Sequence, residues 1–177
     1  YNAWQPGVFA LSGWDLVGAL PLDRSKVRGL IGTGDTRWIE RGAYDLMGKA
    51  PDAKKSASGM PVATALYGPL PAQLESPNSF ASRLAEVLRL RKRSGIATGT
   101  LLDVPDVPWQ SMLVIISRLE SGLVQITALN FGPEKITGRV QSEHLPAGRV
   151  TDLATRRKVD DVDALGGFTV ELPAFGG

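Results

Sequence analysis

The chain has 177 residues, 43% of them apolar, enough for a sizeable core, which excludes wholesale disorder. It has no cysteine and a single histidine, His144 in "SEHLPAG", which excludes disulfides, thiolate metal sites and multi-histidine metal centres and makes histidine-based catalysis a poor expectation. The net charge of +2, the pI of 9.1 and the lack of a membrane-length apolar run point away from membrane partners, and the missing cysteines fit a reducing, cytoplasmic compartment.

The first residue is Tyr1 rather than Met, so the chain is expected to be part of a longer one. "QPGVFALSGWDLVGAL" (Gln5 to Leu20) carries an apolar stretch, Val8 to Leu11, that predicts a strand running into a polar, aromatic loop at Ser12-Gly13-Trp14-Asp15. "DTRWIERGAYDLMG" (Asp35 to Gly48) predicts a short helix weakened by Gly42. From Lys49 to Gln73, Pro51, Gly59, Pro61, Gly68, Pro69 and Pro71 break any regular element and predict a long loop, a common place for function.

A helix is predicted next. Ser76 suits its cap, Pro77 its first position, and Phe80, Leu84, Val87 and Leu88 its apolar stripe. Gly95 is its stop. The basic run "RLRKR" (Arg89 to Arg93) falls in the last turn, where the helix dipole favours cations; phosphate binding is the weaker reading, and no nucleic-acid partner is expected.

Beyond Thr98 the apolar period changes to two. "MLVIISRL" (Met112 to Leu119) and "LVQITALNF" (Leu123 to Phe131), joined by Glu120-Ser121-Gly122, predict a hairpin with Val124, Ile126 and Ala128 on one face and Gln125 and Thr127 on the other. Further strands are predicted around Ile136 to Val140, Arg149 to Leu153 and Phe168 to Leu172, a spacing that suggests an antiparallel sandwich. The domain boundary falls near Ile96 to Thr100, dividing residues 1–98 from 99–177.

Few motifs carry chemistry. "ALSGW" has Ala10 where a nucleophile elbow needs glycine, so Ser12 is not read as a nucleophile. "GTGDT" (Gly32 to Thr36) is too short for a dinucleotide fingerprint and reads as a turn. "DDVD" (Asp160 to Asp163) lacks calcium-loop spacing and reads as a solvated turn. Trp14, beside Asp15, and Trp38, beside Arg37, stand in polar segments. Such groups suit a sugar ring, which offers apolar C–H faces and paired hydroxyls; packing under the long loop is an equal alternative.

In this order the segments resemble the C-terminal part of the α-amylase superfamily, glycoside hydrolase family 13. "QPGVFALSGWDLVG" is similar to the eighth barrel strand and its loop, with Pro6, Gly7, Asp15 and Gly18 matching and Leu16 where the family often has Glu. "SPNSFASRLAEVLRLRKRSG" resembles the last barrel helix, and "LVQITALNFG" and "FTVELPAF" resemble strands of the C-terminal sandwich. Within the superfamily, "GVFALSGWDLVGAL" with "GDTRWIERGAYDLMG" looks most like trehalose synthase-type maltose glucosyltransferases, and "DTRW" is also similar to a segment of amylosucrases.

The resemblance implies an α/β plus all-β fold: the last strand and helix of a (β/α)8 barrel, then an antiparallel β-sandwich. It implies retaining glycosyl transfer, with catalytic carboxylates on earlier strands, so no catalytic residue, cofactor or metal is assigned here. Trp14, Asp15, Arg37 and Trp38 are the expected substrate-binding residues, and an oligosaccharide or disaccharide is the expected partner. An amylosucrase-like or hydrolytic relative, or a stand-alone carbohydrate-binding module, is the alternative.

Overall fold

In the computed structural model, which describes residues 1–29 and 41–177, the period-two pattern after Thr98 becomes antiparallel strands. They are β1 (Thr100–Asp103), β2 (Met112–Arg118), β3 (Val124–Asn130), β4 (Ile136–Gln141), β5 (Gly148–Thr151), β6 (Lys158–Val162) and β7 (Gly167–Leu172). They pair in three sheets, β1-β2-β3, β4-β7 and β5-β6. The expected hairpin is β2–β3, in register from Met112↔Asn130 to Arg118↔Val124, and Gly122 supplies the positive φ of its turn.

One core collects the inward faces of these strands. Met112, Val114 and Ile116 of β2, Ile136 and Val140 of β4, and Phe168, Val170 and Leu172 of β7 are buried together, with Leu145 and Val162. On β4 the intervening Thr137, Arg139 and Gln141 are exposed, the alternation a one-sided strand requires. Two strands escaped the sequence reading. β1 has four residues, and β6, "KVDDV", places only Val162 in the core.

The supposed turn at Asp160 to Asp163 is therefore corrected. Asp160 and Asp161 lie in β6, opposite Val150 and Arg149, and the Asp160 carboxylate accepts the Thr169 N–H at 2.7 Å. Only Asp163 serves a turn, accepting from the N–H groups of Leu165 and Gly167 and pairing with Arg139 at 2.5 Å.

The strand expected at Val8 to Leu11 does not form. Val8 is 98% exposed, Gly7 has a φ of +95°, and the segment pairs with no strand among the described residues. The residues before it are held by one side chain. Arg91, only 7% exposed, donates from Nη1 to the carbonyls of Ala3 (2.9 Å) and Gln5 (2.5 Å) and from Nη2 to that of Gly7. The Gly7 N–H donates to the Ala97 carbonyl. Trp4 adds a carbonyl that accepts from Gln125 Nε2 (3.0 Å) and Thr127 Oγ1 (3.2 Å), which is why the polar face of β3 is buried. Within the basic run, Arg89, Lys92 and Arg93 are exposed and Arg91 is structural.

The chain divides into two compact units, Tyr1–Phe9 with Val87–Gly177, and Ala10–Glu86. The dividing line lies inside a helix, α4 (Phe80–Arg93), rather than between residues 98 and 99. That helix begins later than expected. Ser79 Oγ accepts the Ser82 N–H, so Ser79 is the cap, whereas Ser76 and Pro77 lie in the connection from a separate helix, α3 (Leu70–Glu75). Pro71, read as a breaker, sits in the first turn of α3, where a missing N–H costs nothing. Gly95, at φ +67°, ends α4 as expected.

The Ala10–Glu86 unit has its own core, formed by Val17, Ala19, Leu22, Val27 and Ala63, with Trp14, Leu46 and Met60 packed against it. The expected loop is held by isolated bridges, Lys55↔Pro61, Ala43↔Val62 and Ala19↔Ala65. Of the helix expected over Asp35 to Gly48, residues 35–40 lie outside the described residues; from 42 to 48 there is none, and the Asp45 carboxylate accepts from the N–H groups of Lys49 and Ala50 and closes a turn.

Two predictions follow from these contacts. Arg91→Met should lower stability by about 1–3 kcal/mol, since it leaves the buried Ala3 carbonyl and the part-buried Gln5 and Gly7 carbonyls without this donor, and the urea midpoint reads this loss. The second concerns acid. The Thr169 N–H holds the Asp160 carboxyl below its ordinary value, and Arg139 does the same for Asp163. Both groups therefore add stability above the unfolded carboxylate value of about 3.9 and lose it as pH falls through their lower folded values. Asp160→Asn/Asp163→Asn should be less stable at neutral pH and lose less on acidification, as followed by circular dichroism.

Candidate functional site

The polar segment after Leu11 is not a loop but one helical turn, α1 (Gly13–Leu16). Ser12 and Asp15 build it as a capping box. The Asp15 carboxylate accepts from Ser12 N (3.2 Å) and Ser12 Oγ (3.0 Å), while Ser12 Oγ accepts the Asp15 N–H at 3.3 Å. One oxygen of Asp15 is thus spent on holding the turn.

Glycines decide what lies over this turn. A Cβ on Gly13 would come 2.8 Å from Tyr44 Oη, so the tyrosine rests on bare backbone. Gly18 has a φ of +61°, and a Cβ there would meet the Tyr67 ring at 2.7 Å. The chain leaving α1 is tied by Leu66 N–H to the Gly18 carbonyl and Tyr67 N–H to the Val17 carbonyl.

A buried amide anchors the assembly from α3. Gln73, 3% exposed, donates from Nε2 to the carbonyls of Leu16 (2.8 Å) and Gly68 (2.9 Å) and accepts the Ala81 N–H at 3.1 Å. Three segments meet at one side chain.

The result is a depression of about 590 Å³ lined by Ser12, Trp14, Asp15, Arg41 and Tyr44. Trp14 is half-buried, its ring against the unit's core, and its Nε1 is buried without a partner among the described residues. The lining thus combines aromatic surface, a carboxylate and a guanidinium, which suits a neutral, hydroxyl-rich ligand.

Of the four residues expected to bind substrate, Trp14 and Asp15 share this depression. Arg37 and Trp38 lie outside the described residues, as does the turn expected at Gly32 to Thr36. The sequence reading missed Arg41 and Tyr44. Their only signal was the polar-aromatic pairing in "RGAYD", which the weakened-helix reading absorbed.

Among the described residues no group of three or more His, Asp or Glu side chains is placed to hold a metal ion, and no helix is long and apolar enough to cross a membrane. No protein-family model matches the chain, and no curated protein matches it in sequence.

Gly13→Ala tests this geometry. Its methyl group should force Tyr44 off the turn and open the depression, seen as a changed near-ultraviolet aromatic signal and a stability loss of about 1–3 kcal/mol.

Proposed function

We propose that this chain is the C-terminal part of a retaining enzyme acting on α-glucosides, of the α-amylase superfamily, and that it resembles trehalose synthase-type maltose glucosyltransferases most. The observation that carries the reading is the depression in which Trp14 and Tyr44 stand with Asp15 and Arg41. It is supported by the order of elements, a helix ending in basic residues and then antiparallel strands around one core. In this reading the strands from Thr100 onward are a β-sandwich, the Ser12–Gly18 turn borders the mouth of a barrel, and the setting is cytoplasmic.

The role of the site is to hold sugar, not to cleave it. An isomerising transferase must keep released glucose bound while it turns over, before water reacts. Trp14 supplies a stacking face, and Arg41 and Asp15 supply ligands for hydroxyls. Arg37 and Trp38, which lie outside the described residues, are the other two residues expected to bind the sugar.

A second reading has an observation in its favour. Among the described residues Val8 to Leu11 joins no sheet, and each unit has a core of its own, as a stand-alone carbohydrate-binding module requires.

Product analysis on maltose separates the two. In the longer enzyme, Trp14→Ala or Arg37→Ala should raise free glucose relative to trehalose several-fold, with the first bond cleavage less affected. The 177-residue chain alone should release no glucose from maltose, sucrose or starch. An unchanged product ratio with lowered thermal stability would reduce these residues to packing. Saturable maltose binding by the chain, with no activity in any longer form, would favour the module.

A further inference from the structure

The Ala10–Glu86 unit carries a second depression, of about 530 Å³, lined by Lys26, Pro51, Ala53, Lys54, Lys55, Pro61, Val62, Ala63 and Thr64. Its charge is of one sign: three lysines converge on it, and among the described residues its lining holds no carboxylate. We propose that this bowl binds a phosphate group carried on a small molecule.

The walls are held in place by the unit's core. Lys26 lies on α2 (Arg24–Val27), whose next residue, Val27, is fully buried beside Ala63 of the opposite wall. Lys54 and Lys55 stand on a ribbon closed by three backbone hydrogen bonds, from Val62 N to Lys54 O, Ser56 N to Met60 O and Gly59 N to Ser56 O. The bridge Lys55↔Pro61 and the bond from Ala63 N to Ala43 O extend it. Lys26 and the pair Lys54/Lys55 are thus carried by separate segments fastened to the same apolar cluster.

Like charges gathered in a concave surface repel one another, and the field they set up concentrates anions there. Ammonium groups on flexible stems bind phosphate as point charges without demanding bidentate geometry. Lys26 also feels the Asp23 carboxylate, whose oxygen accepts the Ser25 N–H at 2.7 Å. The apolar part of the lining, Pro51, Ala53, Pro61 and Val62, gives the carrier of the phosphate a surface to rest on. This site is separate from the aromatic depression and independent of the sugar reading.

Inorganic phosphate is the probe, titrated into the chain at constant ionic strength with chloride as the balancing anion. Amine acetylation is read lysine by lysine by mass spectrometry. Bound phosphate should slow labelling of Lys26, Lys54 and Lys55 at least threefold, with Lys135, just before β4, and Lys158, on β6, unchanged. In parallel, calorimetric binding should be saturable and fall tenfold or more in Lys26→Gln/Lys54→Gln/Lys55→Gln. All three side chains are exposed, so the variant should keep the parent circular dichroism spectrum. Uniform protection of all lysines, an effect that follows ionic strength alone, or equal binding by the triple variant would overturn the proposal. Should that variant unfold, the labelling pattern of the parent chain decides by itself.

Discussion

A single guanidinium organises the strand-bearing unit. Arg91 sits at the end of α4 and takes the carbonyls of Ala3, Gln5 and Gly7, residues 84 to 88 positions away in the chain. A cation taken out of water is tolerable only when its donors are used, and here backbone oxygens use them. The geometry suits arginine alone, because its planar fork reaches three acceptors at once whereas a lysine ammonium is a point charge. Once the first residues are held, the Trp4 carbonyl can cover Gln125 and Thr127, and the polar face of β3 is removed from solvent.

The other unit solves the same problem with a neutral group. Gln73 satisfies two carbonyls and one N–H from three segments, and its own backbone carbonyl accepts from Ser79 and Ser82 at the start of α4. The side chain buried at this junction carries no formal charge. The turn that carries Trp14 and Asp15 is therefore shaped by its own capping box and anchored by an amide 57 residues away. This is the way long-loop proteins make a rigid site without regular structure: a few saturated polar side chains take the place of a ladder.

The strands were legible because alternation is local. Ile136 to Val140 and Phe168 to Leu172 carry their burial pattern in the order of residues, and so does the β2–β3 hairpin. The strand at Val8 to Leu11 failed for the opposite reason. Apolar content there resembles a buried strand, yet Val8 is exposed, and the residues just before it are held by Arg91, a pairing so distant that it leaves no mark on periodicity. β6 was missed because edge ribbons tolerate aspartates that a core strand would not. Of the site, Trp14 and Asp15 were readable as residues of the right chemistry. That Ser12 and Asp15 would spend their polar atoms on each other, and that Tyr44 would lie on Gly13, depends on contacts across the fold.

The strand-bearing unit is discontinuous, since its first nine residues are followed by 77 that belong elsewhere before the chain returns at Val87. On a ribosome the leading segment emerges long before the helix that will receive it. Until α4 is complete, the carbonyls of Ala3, Gln5 and Gly7 lack their guanidinium donor and must wait in water. Closing a loop of that length adds little to the equilibrium cost but delays the step. The Ala10–Glu86 unit, contiguous in the chain, has all its partners first. Vectorial synthesis thus favours an order in which the inserted unit folds early and the segment Tyr1 to Phe9 docks last, as a latch thrown after the door has closed.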